Sequence, residues 1–188
     1  MSDTKTKQRG IVITLAGLHG SGRSTQAKRL AEELNLRYFS TGKAFRDRAK
    51  ELGISLEEMN RQASMDSDFD KYLDKKTKEE SRQGNVVIDA NLSAWMAENP
   101  DLKIYLTASF KERVRRIALR ENMSFEEAEK ETRNREGLER ERYIQYYGMD
   151  ITDITKYDII INTSSFNIDT TANILKNVVL TYLSSRGT

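Results

Sequence analysis

The sequence predicts an α/β domain built on a mostly parallel sheet, and three observations carry that prediction. Short apolar runs rich in β-branched residues recur along the chain, helical patterns lie between them, and a glycine-rich turn joins the first run to the first helix. Ligands of such folds sit outside the carboxyl ends of the strands. A site is therefore to be sought in the residues just past each strand.

The first run, Ile11 to Ala16, is followed by "GLHGSGRST" and then by Ala27, Leu30, Ala31 and Leu34 at helical spacing. Strand, glycine loop and helix are the setting of the phosphate-binding pattern G-x-x-x-x-G-K-[ST]. It is met here by Gly17, Gly22, Arg23 and Ser24, with arginine in the lysine position. Glycines are needed because backbone amides must wrap a phosphate at distances a side chain obstructs. The loop Gly17, Leu18, His19, Gly20, Ser21, Gly22, Arg23, Ser24 and Thr25 is thus a candidate ATP site, with helix N-terminal charge beneath it and Ser24 as a magnesium ligand. A glycine-rich turn without a ligand, or a different anion site, is the alternative. Guanidinium can bridge two phosphate oxygens but is larger and planar. Phosphate binding is expected to survive the change, and transfer rate is where it should tell.

A shorter run, Leu36 to Ser40, leads into "STGKAFR". Thr41, a glycine turn and Arg46 on the first turns of a helix would grip a second phosphorylated ligand opposite the first. Taken alone, the same residues read as a capped helix with surface basic residues. The third run, Asn85 to Ala90, ends in Asp89, where an acid beside a phosphate loop holds magnesium through water. A strand-terminal aspartate capping a turn is the other reading. Leu102 to Ala108 and Tyr157 to Thr163 complete the set, and the four longer runs read as strands buried on both faces. Ser55 with Glu58, Ser109 with Glu112, and Ser124 with Glu127 match the capping box and mark helix starts.

Ser124 to Gly148 is dense in both charges. A solvated helix laced with i,i+4 ion pairs, each worth about 0.3–0.5 kcal/mol, accounts for that composition. Arg135, Glu139 and Arg142, however, fall at i, i+4 and i+7, on one helical face. An arm carrying arginines over a phosphate site would neutralise charge and exclude water in this way.

Composition limits the alternatives. The 188 residues fit one core, and 31 basic against 29 acidic residues leave a net charge of +2, which gives no support for a nucleic-acid or membrane partner. The absence of cysteine excludes disulfides and thiolate metal sites, and the single histidine excludes a histidine-cluster metal site. The N-terminus is polar and its apolar run short, so a soluble cytoplasmic protein is expected. No internal repeat is evident, and the only proline is Pro100.

Taken in order, "GLHGSGRST", "STGKAFR", "GNVVIDANLSAWM", "DLKIYL", "REGLERERYIQYYGMD" and "YDIIINTS" resemble a cytidylate kinase of the short archaeal kind, within the nucleoside monophosphate kinases. The likeness runs from Ile11 to about Asp169. It implies a P-loop, three-layer fold with a five-stranded parallel sheet: a core of residues 11–53, 85–122 and 149–188, a monophosphate-binding region at about 40–84, and a short lid at about 123–148. It implies transfer of the γ-phosphate of ATP to CMP or dCMP with magnesium, by a monomer or a dimer acting on small nucleotides. Residue by residue, the loop would hold the ATP phosphates, Ser24 and Asp89 the metal, and Thr41 and Arg46 the acceptor. Arg135 and Arg142 match lid arginines, with Glu139 between them, and Thr163 and Ser164 would lie near adenine. Two positions depart from the pattern. Arg23 replaces a lysine, and Asn91 stands where an arginine would grip the acceptor phosphate, a contact worth roughly 1.5–3 kcal/mol. Lys71, Lys75 and Lys76 are at hand to compensate. A kinase for another monophosphate such as AMP, and an ATP-binding regulator with little transfer activity, are the alternatives.

Overall fold

The computed structural model describes residues 10–186; the polar segment "MSDTKTKQR" and the last two residues lie outside it. Five parallel strands form one sheet: β1 (Val12–Ala16), β2 (Arg37–Ser40), β3 (Val86–Asp89), β4 (Leu102–Thr107) and β5 (Ile159–Asn162). Their spatial order is β2-β3-β1-β4-β5. The sheet order reverses at the central β1, so the crevice beyond its carboxyl end is the topological switch point where ligands of this architecture bind. Register aligns Leu15 with Asp89 on one side and Ile104 on the other. Asp89 is thereby fixed beside the end of β1.

β1 and β3 are buried along their whole length and β4 nearly so. β5 departs from the expected burial on both faces: as the outer strand it leaves Ile160 45% exposed. With β4 on one side only, side chains on the faces of β5 reach solvent around the open edge wherever no helix covers them.

Helices α1 (Arg23–Glu33) and α8 (Ile168–Arg186) cover one face of the sheet. Ala27, Leu30, Leu175 and Val179 pack there on Ile13, Leu15 and Leu106. The other face places Val12, Val86 and Ile88 against Ala90 and Ala97, which flank the short α5 (Ser93–Met96). Beyond β2, helices α2 (Thr41–Leu52), α3 (Leu56–Met65) and α4 (Asp68–Gln83) enclose their own apolar cluster of Phe45, Ala49, Met59, Ala63 and Leu73. α6 (Phe110–Glu121) packs on the long α7 (Phe125–Tyr147) through Val114, Ile117 and Ala128.

Of the three capping boxes, only Ser124 with Glu127 closes in both directions. Ser55 and Ser109 each accept the expected amide, from Glu58 and Glu112. The two glutamates turn outward instead, Glu58 to Arg61 and Glu112 to Arg115 and Arg116, because a nearby guanidinium competes for the carboxylate.

α7 buries Ala128, Thr132, Glu139 and Arg142, a stripe that is mostly polar. It therefore shows no apolar period in the sequence although it is firmly packed. Leu175→Ala, at a wholly buried position, should lower unfolding free energy in urea by about 2–5 kcal/mol, whereas Leu183→Ala, 40% exposed, should change it by less than about 0.5 kcal/mol.

Candidate active site

The loop after β1 passes through a gap that only glycine fits. At Gly17 (φ +149) a Cβ would lie 2.3 Å from the Leu106 carbonyl oxygen, and at Gly20 (φ +79) 2.5 Å from that of Arg113. The loop is thus pressed between β4 and α6, with Ser21 turned fully inside. α1 then begins at Arg23 without a side-chain cap and without an acid in its first turn. Its unpaired amides and partial positive charge are left for an external anion.

Arg23 turns back from the helix into the sheet. Its Nε donates to Asp89 Oδ1 at 2.5 Å, and its Nη1 donates to the Gly17 carbonyl at 2.9 Å and to Asn91 Oδ1. Asp89, wholly buried, also accepts from the hydroxyls of Tyr38 and Ser40 at 2.8 and 2.9 Å, and Ser24 bonds to it as well. Burial alone would push the Asp89 carboxyl up. The Arg23 charge, then the hydroxyls of Ser24, Tyr38 and Ser40, hold it below the usual carboxylate range. Ser24 lines the cavity, where its hydroxyl is a hard oxygen donor of the kind magnesium takes. Asp89 is wholly buried behind it, with Oδ1 taken by Arg23 and Oδ2 by Tyr38 and Ser40, so it fits the ion as the group that backs Ser24 and not as an open ligand.

α7 presents Arg135, Glu139 and Arg142 to the same cavity that the loop lines. Glu139 joins three elements: it accepts from His19 Nε2 at 2.8 Å, from Asn91 Nδ2 at 3.1 Å and from Arg135 Nε at 3.2 Å. Burial works against its charge, yet His19, Arg135 and Arg142 hold its carboxyl far below the ordinary range. Arg142 lies deeper, 4% exposed, with Nη1 donating to Asn60 Oδ1 at 3.2 Å and Nε 3.0 Å from Asp70 Oδ2. Arg135 remains at the cavity and Arg142 reaches the wall formed by α3 and α4.

That wall faces the phosphate loop. Thr41 and Arg46 both line the cavity, but Gly42 makes no turn: it is the second residue of α2, whose cap is Ser40. Arg46 is exposed and has no hydrogen bond or ion pair among the described residues. A Cβ at Gly42 would lie 3.5 Å from Arg46 Nη1 and 4.0 Å from Arg23 Nη2, so the bare glycine leaves room beside both guanidinium groups. The lysines considered as substitutes for an arginine at 91 point elsewhere. Lys71 pairs with Asp68, Lys76 with Glu79, and Lys75 is exposed on α4 away from the cavity. Asn91 instead receives the Arg23 guanidinium.

Thr163 and Ser164 brace the loop from behind. The Thr163 hydroxyl, buried, lies 2.9 Å from the Ser21 carbonyl oxygen, and Ser164 Oγ accepts from the Ser109 amide. Neither borders the cavity. Sequence reasoning missed a second basic face on α6. Arg113 and Arg116 donate to the carbonyls of His19 and Gly20 at 2.9 and 3.3 Å, and Arg120 borders the cavity. Their spacing of three and four residues was the available signal. Asn60 and Asp70, inside a stretch of charged helix, gave none.

A glycine loop at the switch point of a 2-3-1-4-5 parallel sheet, with an uncapped helix beneath it and arginines from α2 and α7 around it, defines a P-loop phosphotransferase. Among solved structures the fold is similar to a shikimate kinase from Bacteroides thetaiotaomicron, with a TM-score of 0.58 and 15% identity over 90% of this chain and 98% of that one. The cytidylate kinase of Staphylothermus marinus is 42% identical over 92% of this chain and 98% of its own length. That of Pyrococcus horikoshii is also 42% identical, over 90% and 88%. Residues 12–165 match the model of the cytidylate kinase-like family, and the chain belongs to that family.

Burial pushes the Asp70 carboxyl up to about 6; Arg142 opposes the shift, and Asp74 and Glu139 add to it. The folded chain therefore keeps this proton to about pH 6, whereas the unfolded chain releases it near 3.8, so stability falls as pH rises through that window. Thermal melts of wild type and Asp70→Asn should show the variant gaining on wild type between pH 4 and 7. A difference that stays flat with pH is the contrary result.

Proposed function

We propose that the chain transfers the γ-phosphate of ATP to CMP or dCMP, giving ADP and CDP or dCDP. The observation that carries this reading is a single cavity with a phosphate loop on one wall and, opposite it, a wall from α2, α3 and α4 that sets Arg46 and Thr41 beside the apolar Phe45 and Leu73. Membership of a family whose relatives are named cytidylate kinases supports the choice of acceptor.

Residues Gly17 to Thr25 bind the ATP phosphates through loop amides and the start of α1. Thr41 and Arg46 bind the acceptor monophosphate, and Arg23, whose guanidinium lies beside Gly42 as that of Arg46 does, reaches toward it from the loop side. Ser24 would hold magnesium, with Asp89 behind it bonded to its hydroxyl, and the ion when bound with the nucleotide would offset phosphate charge. The attacking oxygen of a monophosphate is already anionic, so no side chain need remove a proton. Catalysis rests on bringing the two nucleotides into line and on the positive charge of Arg23, Arg135 and Arg142 as electron density shifts to the leaving ADP. Asn91 and Glu139 act at this site by orienting Arg23 and Arg135.

In this reading residues 40–84 are the monophosphate-binding region and residues 123–148 the lid, set on a core of residues 11–53, 85–122 and 149–188. No described helix is long and apolar enough to cross a membrane. A monomer or a dimer acting on small nucleotides in the cytoplasm is the form this reading expects.

ADP release measured with CMP, dCMP, UMP, AMP and GMP as acceptors should be fastest with CMP or dCMP; absence of acceptor-dependent turnover with all five would sink the proposal. Arg46→Ala removes one charge-assisted contact of roughly 1.5–3 kcal/mol. It should lower kcat/KM for the acceptor about 10- to 100-fold while leaving the KM for ATP within about twofold.

A further inference from the structure

The single histidine of the chain, His19, sits in the phosphate loop and is fastened at both its side chain and its backbone. Its ring reaches α7: Nε2 donates to Glu139 Oε2 at 2.8 Å, and because Glu139 is held ionised the proton between them stays on the nitrogen. Its carbonyl accepts from Nη1 of the buried Arg113 at 2.9 Å, and the same guanidinium pairs with Glu136, which precedes Glu139 on α7 by about one helical turn. One loop residue is thus tied to two carboxylates of α7, directly through its ring and by way of α6 through its carbonyl.

Glu139 divides its two oxygens between the loop and an arginine. Oε2 takes His19 and Asn91 Nδ2, while Oε1 takes Arg135 Nε at 3.2 Å. Arg135 is gripped at the root of its guanidinium, and its Nη groups, which have no hydrogen bond among the described residues, are left to the cavity it lines. A carboxylate aims a guanidinium only if it is itself fixed, since an untethered glutamate spreads over several rotamers. Asn91 fixes Glu139 to the end of β3, because its other end receives Arg23. His19 fixes it to the loop.

We propose that His19 is a positioning residue: through Glu139 it ties the Arg135 guanidinium to the phosphate loop, so that the cation on α7 meets phosphates seated on the loop amides. This rests on the reading of the loop as the ATP site. A histidine that only packed the loop against α7 would affect binding without reference to Arg135.

Two amides of different reach separate these roles. Glutamine carries its Nε2 donor about as far from the backbone as histidine does, whereas the asparagine Nδ2 falls short of Glu139. Calorimetric Kd values for the magnesium complex of a non-hydrolysable ATP analogue should rise about 5- to 20-fold in His19→Asn, and His19→Gln should recover affinity to within about threefold of wild type. Arg135→Ala should weaken binding by a similar factor, and adding His19→Asn to it should cost less than about twofold more, because the arginine through which the histidine acts is gone. Unchanged affinity in His19→Asn overturns the proposal, as does failure of glutamine to recover what asparagine loses, or a double variant in which the two losses multiply. His19→Leu repeats the cycle if asparagine at this position impairs folding. Non-multiplying losses in a protein that transfers phosphate to no acceptor would uphold the coupling and overturn the proposed reaction, and a wild type that does not bind the analogue overturns both.

Discussion

The buried pair of Arg23 and Asp89 is the contact on which the site depends. One partner opens α1, at the end of the loop that follows β1, and the other ends β3, the strand beside β1 in the sheet. Through Asp89 the pair also gathers Tyr38 and Ser40 from β2 and Ser24 from the loop. Through Arg23 it holds the Gly17 carbonyl and Asn91. Removing either charge would strand the other in the interior, which costs several kcal/mol, so loop, sheet and acceptor wall share one electrostatic anchor.

The same pair gives a physical account of two unusual residues that are far apart in sequence. Arginine at 23 is longer than the expected lysine and reaches across the first residue of the loop to the end of β3; asparagine at 91 is shorter than the expected arginine and leaves the room that this guanidinium enters. A guanidinium at each position would set two like charges together. One guanidinium with an amide to receive it does not.

How much of this was legible beforehand follows from where apolar periodicity reports on burial. Four strands and the glycine loop were readable because β-branched runs and glycines at fixed spacing are direct consequences of burial and close approach, whereas β2, which has no β-branched residue and is partly exposed, showed only as a short apolar run. The charged face of α7 was readable from the i, i+4, i+7 spacing of Arg135, Glu139 and Arg142, but not its depth, since Glu139 and Arg142 are buried by partners more than forty residues away. Asp70 and Asn60 were invisible for the same reason. A buried polar residue is identified by what tertiary structure brings to it, and α4 by itself reads as a surface helix. Thr163, expected near adenine from the resemblance, also has a structural task that its sequence setting did not announce, bracing the loop at the Ser21 carbonyl.

The chain is nearly neutral overall, with a net charge of only +2, yet its cavity is not. Arg23, Arg46, Arg120, Arg135 and Arg142 line it against Asp70 and Glu139. Such segregation matters for encounter kinetics rather than for the fold. Field lines focused into a cleft draw polyanions in faster than diffusion alone delivers them, and dissolved salt weakens that attraction while leaving buried pairs largely untouched. Capture of nucleotides should therefore slow with ionic strength in a molecule whose architecture does not soften with it, so that the rate of loading and the integrity of the site answer to different variables.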